Sequence, residues 1–251
     1  MSRYSRQLFP FCTLVLIFAL WSVLAPEHFL SVRNLLNILR GASVTGIPAM
    51  MTTKVMPTAG IDLSVGAMLS LCAIVSAVSM LVFSGAGLVA IENGIYVPLN
   101  GWAIAAGTVL GVLTGGAAGF LNGELIARLK LMPFLATLGT MVVFRSASLL
   151  VNDGRPAVVS DYFWLDAGTV FGVPAAVVLF FGVLVVGGFL LQYTTFGRYV
   201  RALGSSPLTA LHAGIDVTRL KVGVYTICGI LVGVAALVRM SRVGAANPSS
   251  A

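Results

Sequence analysis

Uncharged apolar runs of membrane-crossing length constrain this chain more than any other feature. Leu8–Ala25, Leu63–Phe83, Gly101–Gly123, Val173–Leu191 and Val222–Val238 contain no Asp, Glu, Lys or Arg. A bilayer core takes about 20 apolar residues in helical form. Leu131–Val151 adds a sixth run with Arg145 inside it, and Ala42–Gly60 a seventh that carries Lys54 and is broken by Pro48 and Pro57. With 58% apolar and 9% charged residues, a soluble globular class is excluded. The expected fold class is all-α, a polytopic membrane helical bundle of about seven spans.

Arg3 and Arg6 precede the first run, no A-x-A cleavage site follows it, and the next segment is again membrane-like. The run therefore reads as a first transmembrane helix with a cytoplasmic N-terminus. Pro26–Arg40 is polar-amphipathic and suits an interfacial helix. Seven crossings put Arg3, Arg6, Arg128, Lys130, Arg198, Arg201, Arg219 and Lys221 inside, against Arg33, Arg40, Arg155 and Arg242 outside. That asymmetry follows the positive-inside rule, and Ser84–Asn100, an external loop, has no basic residue. The net charge of +7 thus reflects loops on one face of a lipid bilayer, not nucleic-acid binding.

Cys12, Cys72 and Cys228 each sit inside an apolar run without CxxC spacing, and His28 and His212 have no ligand partner at helical spacing. Packing is the reading for the cysteines, and no metal site or cofactor is expected. No G-x4-G-K-[ST], H-E-x-x-H or G-x-S-x-G occurs. Gly85-Ala86-Gly87-Leu88-Val89-Ala90 matches a dinucleotide fingerprint by chance, because no βαβ context surrounds it. The chain is not expected to be an enzyme.

Three stretches stand out. Phe196–Lys221 is the longest polar interval and holds a short helix signal: Ser206 as N-cap, Pro207 at the first position, Leu208 to Ala213 as about two turns, and Gly214 as a left-handed stop. So short a helix is marginal alone, and it is expected to dock on a soluble partner. Gly107, Gly111, Gly115, Gly119 and Gly123 recur at every fourth residue and form a bare ridge for close helix packing, either static or at a sliding gate. Asp62 lies between two apolar runs. Asp62 and Ser64 either cap the following helix or line a polar cavity at a broken-helix junction. A Lys54–Asp62 ion pair across a kink at Pro57 is compatible with their spacing.

Ala59-Gly60-Ile61-Asp62-Leu63-Ser64-Val65-Gly66 is similar to the GGIDLSVG block of the membrane permeases of bacterial ABC importers for sugars, in the ribose-type branch, a family the chain resembles. Asn122-Gly123-Glu124-Leu125-Ile126-Ala127 and Pro133-Phe134-Leu135-Ala136-Thr137-Leu138-Gly139-Thr140-Met141 resemble its NG-x-LIA…PF-x-x-TLGTM block. Gly197-Arg198-Tyr199 through Gly204 to Gly214-Ile215 resembles the loop that contacts the ATPase, and Ser241 to Pro248 resembles SR-x-GSAQP. Three departures stand beside these matches. Ser206, Pro207 and Leu211 replace an Asn-Glu pair and a later Arg, Lys54 enters a normally apolar stretch, and family members run on past the position of Ala251.

The resemblance implies an ATP-driven importer that moves a monosaccharide into the cytoplasm by alternating access. The partners it implies are an ABC ATP-binding subunit, a periplasmic sugar-binding protein and a second permease subunit, identical or not. One permease domain would cover residues 1–251, incomplete at its C-terminus. Residues 193–221 would form a cytoplasmic coupling loop, with Gly204, Ser206, Pro207, Leu208, Leu211 and Gly214 as the ATPase contact. An ion-coupled secondary transporter, which would need buried acids or histidines, and a non-transporting fragment are the alternatives.

Overall fold

The computed structural model describes residues 3–59, 61–85, 96–159 and 161–249, with the side chains of residues 3–8, 10 and 51–59 left aside. The chain forms two compact units, Met1–Ala42 and Ser43–Ala251. The first unit holds α1 (Arg3–Leu24), α2 (Pro26–Phe29) and the start of α3 (Val32–Ala59). Phe18 meets Phe29 edge to face at 5.1 Å, and the Asn34 amide donates to Phe29 O. The expected interfacial segment Pro26–Arg40 is thus split between α2 and α3. α3 also continues through Pro48 and Pro57, where a break was expected. An interior proline removes one i→i−4 hydrogen bond and bends a membrane helix without having to end it.

The second unit is built on α4 (Val65–Phe83), α5 (Gly101–Ala127), α6 (Pro133–Val151), α8 (Ala175–Tyr193) and α11 (Val217–Val243). These five are, among the described residues, the helices long and apolar enough to cross a membrane. The apolar part of α1, Phe11–Leu24, is shorter than a full span, and α3 is not among the five. α4 and α8 have nearly the same mean hydropathy, 2.3 and 2.4, yet 67% of the α4 span is buried against 11% for α8. α4 spaces Ala67, Ser70, Ala73 and Ala77 at three- and four-residue steps and is enclosed by α5, α6 and α11. α8 turns Phe181, Val185, Val186 and Phe189 outward.

Consecutive spans alternate in direction and so define two ends of the bundle. One end carries Ser84, Gly85 and Tyr96–Asn100 between α4 and α5, the described part of 152–174 and the segment after α11. There β1 (Ala157–Val158) pairs antiparallel with β4 (Ala245–Ala246). β2 (Thr169–Val170) pairs with β3 (Val173–Pro174), and α7 (Trp164–Ala167) lies between the two pairings in sequence. The polar loop expected over 152–172 therefore has structure of its own. Ser148 Oγ donates to Pro248 O at 3.0 Å and Ser241 Oγ accepts from the Asp166 amide at 3.1 Å, so the segment resembling SR-x-GSAQP closes this end.

The opposite end carries α9 (Thr195–Ser205) and α10 (Pro207–His212). Thr194 caps α9 through the Gly197 amide, and Ser206 caps α10 through the Thr209 amide at 3.3 Å. Gly214 takes φ +77°, the left-handed turn that only a residue without Cβ adopts freely. Asp216 then caps α11 by accepting from the Arg219 amide at 3.0 Å. The last span begins at Val217, five residues before the start of its apolar run, because this cap organises Arg219 and Lys221 into a first helical turn.

Candidate functional site

The α3–α4 junction lies at the same end as α9 and α10. Ser64 occupies the N-cap position of α4, but its side chain makes no capping bond. Its hydroxyl instead donates to Asp62 Oδ1 at 2.7 Å, and its amide donates to the same oxygen at 2.9 Å. On its other side the Ser64 hydroxyl accepts from Asn122 Nδ2 of α5 at 2.7 Å. Asp62 thus gathers one residue of α4's start without serving as its cap, and Ser64 links the carboxylate to α5. The junction is also held from α6. Thr137 Oγ1 donates to Pro133 O at 2.9 Å within its own helix and accepts from the Leu63 amide at 3.3 Å.

Asp62 is 8% exposed, and Ser64, Asn122 and Thr137 are fully buried. Tyr225 of α11 adjoins the group, 1% exposed and set against Gly119 and Gly123 on either side of Asn122. Two polar atoms here have no hydrogen-bond partner, Asn122 Oδ1 and Tyr225 Oη. An unpaired buried polar atom costs about 1–3 kcal/mol, so the site holds unused capacity for one acceptor and one hydroxyl. Together with the carboxylate they make a buried polar group at the foot of α4. The side chain of Lys54, considered as a partner of Asp62, lies outside the described residues, as do Gly60 and most of the stretch that matched a dinucleotide fingerprint.

Asn122, Thr137 and Tyr225 had not been singled out as site residues. Asn122 carried a usable signal, since an amide inside an apolar span is costly unless hydrogen-bonded. Tyr225 carried none, being one aromatic residue in an apolar helix.

The five glycines of α5 do not face one neighbour. A Cβ at Gly107 or Gly111 would meet Met80, Ser76 and Cys72 of α4. A Cβ at Gly115, Gly119 or Gly123 would meet Gly229, Tyr225 and Val222 of α11. The physical reason is the period: a four-residue step overshoots a 3.6-residue turn by about 40°, so the ridge winds from one partner to the other. At the second partner the closeness is reciprocal, because a Cβ at Gly229 would run into the backbone of Gly115 and Gly119.

α9, within the stretch expected to be mainly loop, packs by one face. Val200 and Leu203 are buried with Ile126, Ala136, Leu220, Val224, Tyr225 and Cys228, joining α9 to the ends of α5, α6 and α11. α10 buries only Ala210, while Leu208 and Leu211 stay 70% and 59% exposed. Of the other residues expected at a partner contact, Gly204 is exposed in the last turn of α9, Ser206 caps α10 and Pro207 starts it, and Gly214 turns the chain toward α11.

Residues 34–251 match the family model described as the permease component of the branched-chain amino acid transport system. The chain is 34% identical over 246 residues to a ribose import permease of Haemophilus influenzae, covering 96% of this chain and 70% of that one. It is 35% identical over 249 residues to the ribose import permease of Bacillus subtilis, covering 98% and 71%. A D-allose transport permease of Escherichia coli is 34% identical over 240 residues, covering 95% and 68%. The chain belongs to this permease family. It is a multi-pass inner-membrane transport subunit, a transport component rather than an enzyme. No solved structure matches it significantly.

Proposed function

We propose that this chain is the transmembrane permease subunit of an ATP-driven ABC importer for a monosaccharide. In this reading it works as one permease domain with a cytoplasmic N-terminus and about seven crossings, and residues 193–221 form its coupling loop. A periplasmic binding protein delivers the sugar, a second permease subunit completes the path, and an ATP-binding subunit drives alternation. The names of the relatives support the substrate class, since ribose and allose are both monosaccharides.

The observation that carries the reading is the cluster shared by the loop and the spans. The α9 residues Val200 and Leu203 pack in one group with Tyr225, which adjoins the Asp62–Ser64–Asn122 site. A push on α9 and α10 therefore has a direct route to the buried polar junction. The exposed Leu208 and Leu211 present an apolar face for the ATPase, with Gly204, Ser206, Pro207 and Gly214 setting its geometry.

The test is co-purification with the ATP-binding subunit and uptake of labelled ribose and allose, for the wild type and for Leu208→Asp plus Leu211→Asp. Both variants are at exposed sites, so the protein should reach the membrane in normal amount while ATPase association and uptake fall together. Full ATPase association and uptake in the double variant would refute the coupling role. Uptake that tracks an ion gradient and needs no ATPase would replace the importer by a secondary transporter.

A further inference from the structure

α8 borders a feature separate from the buried Asp62 junction and from the exposed face of α10. A cleft of about 560 Å³ opens beside it, lined by Met50, Leu184, Gly188, Leu191, Gln192 and Arg201. Its floor is apolar and its rim, at the α9 end of the span, is cationic. Gly188 faces open space in the floor, since a Cβ there would meet nothing within 4 Å. Arg201 spends one guanidinium donor on Leu191 O, at the C-terminal turn of α8, and a guanidinium has five. Arg198 reaches the neighbouring Tyr193 O at 3.5 Å. Among the described residues, neither arginine has a carboxylate within 4.0 Å.

We propose that this cleft is a binding site for one anionic phospholipid of the leaflet on the α9 side. One acyl chain lies along Met50, Leu184, Gly188 and Leu191. The headgroup phosphate takes the remaining Arg201 donors and the Gln192 amide, and Arg198 adds a second positive charge nearby. The medium around α8 supplies the occupant, because this span is the least buried of the five. The charge selects among lipids: a guanidinium pairs a phosphate in a forked geometry, and basic groups between membrane helices favour anionic headgroups. A zwitterionic lipid offers the same phosphate but brings its own cation beside two arginines. The inference rests on α8 crossing the bilayer and is independent of which solute is carried.

The experiment measures retention of phosphatidylglycerol and phosphatidylcholine by the purified chain, using native mass spectrometry from mixed nanodiscs. The wild type should keep one phosphatidylglycerol in preference to phosphatidylcholine. Arg201→Gln should lower that retention about tenfold, the loss expected for one charge-assisted group. Gly188→Leu, whose Cβ would meet nothing within 4 Å, places a side chain in the floor and should lower it as well, while the monodisperse fraction after heating stays at the wild-type level. Arg128→Gln, a cation already paired with Glu124 at 3.0 Å, should change nothing. Equal retention of the two lipids would overturn the proposal, as would wild-type retention in both cleft variants. Displacement by millimolar inorganic phosphate would show a simple anion site and would also overturn it.

Discussion

Gly119→Ala tests a close backbone contact between α5 and α11. A Cβ at Gly119 would press on the Tyr225 carbonyl and stand 3.0 Å from Gly229 Cα and 3.1 Å from Gly229 N. All three obstacles are backbone, so no rotamer change relieves them and α5 must move away from α11 along their shared length. Gly139→Ala is the matched control: it also sits in a membrane helix, but its Cβ would meet nothing within 4 Å. Both substitutions gain the same helix propensity, about 1 kcal/mol, so their difference isolates the clash. Overpacking of a well-packed interface costs about 1–3 kcal/mol, and rigid backbone obstacles place this one near about 3 kcal/mol. At about 2–4 °C per kcal/mol for a chain of this size, Gly119→Ala should melt roughly 6–12 °C below Gly139→Ala. The assay is the monodisperse fraction remaining after heating in mild detergent. Equal melting of the two variants would show that α5 and α11 are not in backbone contact.

Asp62→Asn keeps an acceptor for both Ser64 hydrogen bonds. Membrane abundance and stability should therefore stay within about 1 kcal/mol of the wild type, while sugar uptake falls; unchanged uptake would reduce Asp62 to a structural role. Leu203→Asp, at a fully buried position of α9, should lower stability by several times the effect of Leu208→Asp at its 70% exposed site. Similar effects, measured by the same heating assay, would mean that α9 is not docked. At the opposite end the Tyr96 hydroxyl donates to Asp161 at 3.0 Å, which raises the Tyr96 pKa because ionisation loses that bond beside a carboxylate. The contact is present below the ordinary tyrosine pKa and is lost as pH rises through the raised value. The tyrosinate absorbance of wild type minus Tyr96→Phe should thus appear above the ordinary tyrosine range, and titration at or below about pH 10 would contradict the contact.

The short-range grammar of α10 was fully legible: Ser206, Pro207 and Gly214 act locally, through one hydrogen bond, one fixed φ and one left-handed turn. α9 was missed because its polar residues, Arg198, Arg201 and Ser205, mask an apolar face that becomes visible only when Val200 and Leu203 find neighbours. Hydropathy located α4 and α8 equally well yet could not tell the enclosed helix from the lipid-facing one, since lipid and protein interior are alike in polarity. The glycine ridge was legible as a packing surface, but its division between α4 and α11 depends on which helices lie nearby. Asp62 and Ser64 stood out because charge is rare in such runs. Their partners sit 58 or more residues away, where only the tertiary arrangement brings them together.

The hydrogen bonds at Asp62 also suggest where alternation acts. α5 and α11 touch backbone to backbone through Gly115, Gly119 and Gly229, so parting them would break close packing, whereas α5 and α6 touch far less. The junction 61–64 bridges that weaker seam, with Ser64 bound to Asn122 on the paired helices and the Leu63 amide bound to Thr137 on α6. On the coupling proposed above, a push delivered through α9 would reach α5, α6 and α11 together, and a change in their spacing would stretch the Ser64–Asn122 bond or the bonds from the junction to Thr137. Thr137→Val removes the α6 bond while nearly preserving side-chain volume, and it leaves α9, α10 and the glycine contacts untouched. It should cost about 1–3 kcal/mol through the unpaired Leu63 amide, keep ATPase association, and change the rate of uptake per ATP hydrolysed. If the variant coupled ATP hydrolysis to uptake as the wild type does, the junction would be a passive link and the seam between α5 and α6 would not be where the path opens.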